Sequence, residues 1–148
     1  CVLAAETPAG LAGRHYRDDP LAVVAPPELL ASLGPAPAPA AIAALGWISY
    51  PRRSVTRGLI EAAFAAAGLP FPVLMEIDRP EAILQLVRAG LGLAVPPERL
   101  LAGAPGAGEL VRPHLPGLAA SRPIRILHRP EAELAPAARA FLRVLDAA

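Results

Sequence analysis

The sequence contains no lysine and no asparagine: all 14 of its basic residues are arginine. That usage, with the load of alanine and proline, fits GC-rich codons and assigns no function by itself. There is a single cysteine, Cys1, which excludes a disulfide framework or a cysteine-based metal site within one chain. No apolar run reaches the roughly 18 residues that a membrane span needs, and no export-signal layout is present. A reducing cytoplasm is the compartment these absences fit best. Formal charge is only +1, and no basic run exceeds Arg52-Arg53. Nucleic-acid surfaces need clustered cations to displace phosphate counterions, so this chain is not expected to bind DNA itself. What it does have is apolar material: 54% of the chain, too much for a disordered segment.

That material is organised most clearly from Met75 to Glu98. A strand over Val73 to Ile77 leads into a helix whose first turn holds Pro80, where the missing N–H costs nothing. Asp78 and Glu81 have the spacing of a capping box. Ile83, Leu86, Val87 and Gly90 recur at helical spacing, while Glu81, Gln85 and Arg88 face water. Gly90 is placed to end the helix in a left-handed turn, and Leu91 to Val95 forms a second apolar strand stopped by Pro96-Pro97. This is a βαβ unit on a buried, parallel sheet.

Elsewhere the punctuation comes from proline and glycine. A strand end over residues 1 to 5 gives way to a loop through Pro8, Gly10 and Gly13. Tyr16 to Ala25 is extended, and Glu28 to Leu33 makes one or two helical turns. Gly34 to Pro39 is an exposed turn. Leu45 to Tyr50 is a strand, and Ser54 is placed to cap a helix over Val55 to Ala67, closed by Gly68. That helix is apolar nearly all round, with Arg57 and Glu61 its charged positions after the first turn. Such a helix packs on its own sheet and offers small alanines to a second subunit, or sits in a monomer's core. Gly103 to Gly108 reads as a linker. Glu109 to Arg112 and Ile124 to His128 read as strands, and Pro136 opens a last helix with Ala138, Phe141, Leu142 and Leu145 on one face.

The stretch E-I-D-x-x-E-A-I-L-x-L-V-x-A-G-L-G-L-A-V-x-P, beginning at Glu76, resembles the effector-binding domain of LysR-type transcriptional regulators. The likeness extends outward through Asp19 to Pro27, Trp47 to Gly68, Leu110 to Gly117, Pro123 to His128 and Pro136 to Leu145. It covers nearly the whole chain in order, and the ordered set carries the specificity. The resemblance implies an α/β fold of Rossmann-like lobes of the type 2 periplasmic-binding-protein kind, one lobe nearly complete and the other partial. Residues 1 to 25 would be part of lobe I with the first crossing strand, 26 to 122 lobe II, and 123 to 148 the second crossing strand and return. With a first residue other than Met and a strand interior at its start, the sequence reads as a fragment. In the family, DNA is bound by an N-terminal helix-turn-helix domain, and the long helix contributes to a dimer of effector domains.

The best candidate site is Ser49, Tyr50, Pro51, Arg52, Arg53, Ser54 and Thr56. These residues follow a strand's C-terminal end and precede a helix N-terminus, where free N–H groups and the helix dipole favour an anion. Ser49, Ser54 and Thr56 add hydroxyls, and Arg52 or Arg53 suits a carboxylate. The plainer reading is an exposed loop with a capping serine and two solvated arginines. The resemblance implies that this loop lines the cleft between lobes, where small, often anionic effectors bind. Asp78 reads as a cap and Asp18-Asp19 as a turn.

No catalytic set is evident. His15, His114 and His128 lack metal-ligand spacing, no serine sits in a nucleophile elbow, and Gly90-Leu91-Gly92 lacks a dinucleotide fingerprint. The expectation is an effector-binding regulatory domain with no cofactor or metal and no enzymatic activity, partnered by a small molecule and by copies of itself. A solute-binding protein of a transport system is the rival; an α/β enzyme is the more distant one.

Overall fold

A computed structural model describes residues 2–3, 7–102 and 109–146. The chain divides into two compact units, one of residues 1–18 and 123–148 and one of residues 19–122.

The larger unit is built on a short parallel pair. Strand β3 (Trp47–Ser49) lies parallel to β4 (Val73–Glu76), with a register shift after Trp47. The ladder continues on the other side of β3: Ile48 N–H donates to Leu93 O at 2.7 Å, and Leu93 N–H donates to Gly46 O at 2.9 Å. Ala94 then pairs antiparallel with Val24, and Ala25 with Val111. Leu91 to Val95 and Glu109 to Arg112 therefore enter the sheet through single bridges rather than as full strands. The prolines that flank the first of these, and the glycine at 92, leave little room for a longer ladder.

Helices cover this sheet. Helix α3 (Val55–Ala66) buries Ile60 and Phe64, and α4 (Pro80–Arg88) buries Ile83, Leu84 and Val87. Trp47 anchors the core, with its ring edge-on to Phe64 at 4.8 Å and 5.3 Å from Phe71. Its indole Nε1–H donates to Ala43 O at 2.9 Å, so the one polar atom of the ring is satisfied in the interior. Ala43 belongs to α2 (Pro39–Ala43), a helix that begins at the last residue of the expected turn and has no counterpart in the sequence reading. Pro39 sits at its start, where a missing N–H is no loss. The short α1 (Pro27–Ala31) likewise begins at a proline.

Two expected caps are corrected. At α4 the N-cap is Arg79, not Asp78, with no side-chain capping bond, so the capping box does not form. Pro80 fixes the first helical turn one residue later than that box requires. Ser54 is the N-cap of α3 by backbone, but its hydroxyl makes no capping bond. The two C-terminal glycines are as expected: Gly68 and Gly90 both have positive φ, 66° and 78°, which only glycine adopts cheaply.

The smaller unit contains strand β1 (Val2–Leu3), most of β2 (Ala12–Pro20) and most of β5 (Ser121–His128), in the order β1-β5-β2. Gly13, expected in a loop, lies within β2. Helix α5 (Pro136–Asp146) brings Ala138, Leu142 and Leu145 to a small cavity shared with Ile126 and Leu127. The linker over 103–108 and the expectation for Cys1 lie outside the described residues. Among the described residues, no helix is long and apolar enough to cross a membrane.

Candidate functional site

The C-terminal end of β3 and the start of α3 meet within the larger unit, and the seven expected residues divide there into two groups. Ser49, Tyr50 and Thr56 are buried. Arg52 and Arg53 are exposed, with Arg52 Nε 3.8 Å from Glu76 and Arg53 Nη2 3.8 Å from Asp78. Pro51 and Ser54 are intermediate, and Ser54 N–H donates to Pro51 O at 2.8 Å, which closes the turn. Asp78 thus faces an arginine instead of capping a helix.

Arg57 holds the loop from beneath. It is 3% exposed, although its position in the helix gave no hint of burial. Its Nη1 donates to Tyr50 O at 3.0 Å, its Nε to Glu61 at 2.8 Å, and its guanidinium lies 5.4 Å from the Phe71 ring centre. A buried arginine is tolerated because its charge meets carboxylates and its donors meet acceptors.

Three buried polar atoms of this neighbourhood have no hydrogen-bond partner: Ser49 Oγ, Tyr50 Oη and Arg122 Nε. Buried hydroxyls and guanidinium N–H groups are normally satisfied, so an unfilled set marks a place for a ligand or water. Tyr50 is 6% exposed, and burial pushes its phenol up to about 12, with the charge of Arg122 opposing and those of Glu81 and Asp19 adding. The phenol therefore stays protonated and able to donate at neutral pH.

The sequence reading missed the charged part of the site. Asp19, expected in a turn, is 3% exposed and accepts on Oδ2 from both Arg122 Nη2 and Arg99 Nε, the latter at 3.2 Å. Arg122 is 7% exposed, and its Nη1 reaches Thr56 Oγ1 at 3.4 Å. Burial raises the Asp19 carboxyl, but the hydrogen bonds and charges of Arg122 and Arg99 outweigh it and hold the group below its ordinary value of 3.8. The available signal was a charge bordering a mainly apolar stretch at each position: Asp19 before Leu21 to Val24, and Arg122 before Ile124 to Leu127, which Arg125 interrupts. It could not reveal that residues 103 apart in sequence pair.

A cavity of about 270 Å³ lies elsewhere in this unit, walled by Leu21, Val23, Val95, His114, Leu115 and Leu118. It takes in neither Tyr50 nor Thr56, and its wall, which also carries Glu98 and Arg112, includes none of the unpaired buried donors. Among the described residues, no cluster of three or more His, Cys, Asp or Glu could hold a metal.

Comparison with known proteins agrees with this architecture. The regulatory domain of Synechocystis PCC6803 CcmR, in a structure in complex with 2-PG, matches with a TM-score of 0.78 at 24% identity, over 97% of this chain and 70% of that one. The effector domain of AmpR from Pseudomonas aeruginosa matches at 0.64 and 25%, over 93% of this chain and 63% of that one. The bromide-bound regulatory domain of HypT from Salmonella typhimurium matches at 0.72 and 18%, over 95% and 65%. This chain thus spans roughly two thirds of the length of these relatives. No curated protein sequence matches. The LysR substrate binding domain model matches residues 2–148. With a periplasmic-binding-protein-like type 2 fold and a family match along its length, the chain belongs to the LysR substrate-binding domains, the effector-binding parts of transcriptional regulators rather than enzymes.

Proposed function

We propose that the chain senses a small anionic effector at the junction of β3 and α3, through Ser49, Tyr50 and Thr56, with Arg52 and Arg53 on the same loop supplying attraction from solvent. The observation that carries this reading is the unfilled pair of buried hydroxyls, Ser49 Oγ and Tyr50 Oη, beside the first turn of a twelve-residue helix. A helix N-terminus directs N–H groups and positive potential outward, and hydroxyls add neutral donors, so a carboxylate or phosphate is matched without a formal charge on every contact. The bromide ion bound to HypT supports an anion as the ligand class.

In this reading, residues 26–122 are lobe II of the effector domain, and residues 1–25 and 123–148 belong to the crossing strands and lobe I. The effector favours one conformation of the domain by binding it more tightly, the only way a ligand shifts such an equilibrium. The signal reaches DNA through a helix-turn-helix domain outside residues 1–148, in the cytoplasm. The outward face of α3, with exposed Val55, Ala62 and Ala66, is the proposed contact with a second copy. Placing a charge there by Ala62→Glu should shift sedimentation from dimer to monomer.

The binding reading is tested by calorimetric titration of glycolate and inorganic phosphate into the protein at low salt. Thr56→Val keeps the shape of the side chain and removes the hydroxyl; affinity should fall by about tenfold. Arg53→Ala should cost less, about twofold to threefold, because its guanidinium lies in solvent. Equal affinities for the wild type and Thr56→Val would overturn the reading.

A further inference from the structure

Two guanidinium groups share one carboxylate at Asp19. Arg99 and Arg122 both donate to the same oxygen, Oδ2, so the trio carries one uncompensated positive charge. The members differ in exposure. Asp19 and Arg122 are almost completely buried, whereas the Arg99 side chain is 54% exposed. A buried arginine ordinarily spends all its donors, because each unspent one forfeits its water without return. Arg122 does not: its Nε is buried and empty, and its Nη1 makes only a long contact with Thr56 Oγ1. Thr56 and Tyr50 are the hydroxyl residues already placed in the effector site, and Arg122 heads the charges acting on the Tyr50 phenol.

We propose that Arg122 is the anchoring cation of the effector site and that Asp19 is a built-in competitor for it, so that a small monocarboxylate or phosphate binds by taking over the donors of Arg122, one now held by Asp19 and one, Nε–H, unpaired. The assignment rests on the anion-sensing reading above and adds to it the charge that binds and the group that sets the affinity. An incoming anion finds the excess charge of the trio, the unused Nε–H and the neighbouring Thr56 and Tyr50 hydroxyls. Arg122–oxyanion hydrogen bonds are charge-assisted, so they outweigh contacts from the neutral hydroxyls. Asp19 keeps the guanidinium charge compensated when no effector is present, and the partly exposed Arg99 remains to hold Asp19 when Arg122 turns to the ligand. The device makes the empty state stable at the expense of affinity, which suits a sensor that must release its ligand.

The test uses the same titrations, with glycolate for a carboxylate and inorganic phosphate for a phosphate, on the wild type, Asp19→Asn, Arg99→Gln and Arg122→Gln. Asp19→Asn removes the competing charge and should tighten binding of at least one of the two anions by about tenfold while lowering the melting temperature. Arg122→Gln should weaken binding by about tenfold or more. Arg99→Gln, at a half-exposed position that the fold tolerates, should weaken it by about threefold. A purely structural ion-pair cluster would instead lower the melting temperature in Asp19→Asn and Arg99→Gln and leave anion affinity where it was. That result overturns the assignment even if Arg122→Gln fails to fold. If the wild type binds an anion and Thr56→Val weakens it while the Arg122, Arg99 and Asp19 variants bind like the wild type, the site reading stands and only this assignment falls. If the wild type binds neither anion, both fall.

Discussion

The two units of the chain bury their apolar side chains to very different degrees. The unit of residues 19–122 encloses Trp47, Phe64, Ile48, Ile60, Ile83 and Leu93 almost completely. In the unit of residues 1–18 and 123–148, Ile126 is the one buried hydrophobic residue among those described, while Phe141 and Val144 of α5 are 60% and 65% exposed. Both units have amphipathic helices and a sheet. The difference is the number of layers: β3 packs against α4 and against Phe64 of α3 and is hydrogen-bonded on both sides, to β4 and to Leu93, whereas α5 offers a single stripe to a three-stranded sheet. Burial, not helix or strand content, is what converts an apolar pattern into stability. The polar site belongs to the well-buried unit, where unfilled donors cost most and so mean most.

That contrast can be broken by truncation. Trp47→Ala should destabilise the chain by about 3–5 kcal/mol, since it empties the centre of a packed aromatic cluster. Phe141→Ala should cost about 1 kcal/mol or less, because most of that ring is already in water. Urea denaturation midpoints measure both, and similar losses would end the distinction between the units. The next largest effect is Gly92→Ala: an added Cβ would stand 2.8 Å from the Gly46 carbonyl oxygen, which the parallel ladder fixes in place. A cost of about 2 kcal/mol is expected by the same measurement.

Acid provides a milder probe. The folded Asp19 carboxyl lies below its ordinary 3.8, so its contribution is fully present above that value and lost as pH falls through the folded one. The acid limb of a stability–pH curve below about pH 4 should therefore be shallower in Asp19→Asn than in the wild type. At the other end, Tyr50 is held protonated to about 12, so its contribution is present below 10.0 and lost as pH rises through the folded value. Tyr50→Phe should flatten that alkaline limb. The smallest expected effect is a gain. Gly58 lies inside α3 with open space where a Cβ would go, so Gly58→Ala should stabilise by about 0.5–1 kcal/mol in the same denaturation assay.

How far these features were legible in the sequence follows from the range of the forces that make them. Helical periodicity, prolines at first turns and glycines past last turns are local, and they located α3, β4, α4 and the strand end at Tyr50. The Asp78 cap failed because a proline, at 80, overrode a side-chain preference by setting the helix start itself. Helix α2 was lost because Pro39 looked like the end of a turn when it was the beginning of a helix. The hydroxyl half of the site was readable because Ser49, Tyr50, Ser54 and Thr56 are neighbours along the chain. The charged half was not: Asp19, Arg99 and Arg122 come from three distant segments, and only the folded sheet brings them to one carboxylate oxygen.

The claim on which all this depends is that the face formed by the end of β3 and the start of α3 receives an anion. Backbone amide NMR of the uniformly labelled protein, recorded while glycolate or inorganic phosphate is added, tests it residue by residue. The account predicts saturable shifts centred on Ser49 to Arg57, with Asp19 and Arg122 moving together with them. Shifts centred instead on the cavity around Leu21, His114 and Leu118, with Ser49 to Arg57 unmoved, would contradict it.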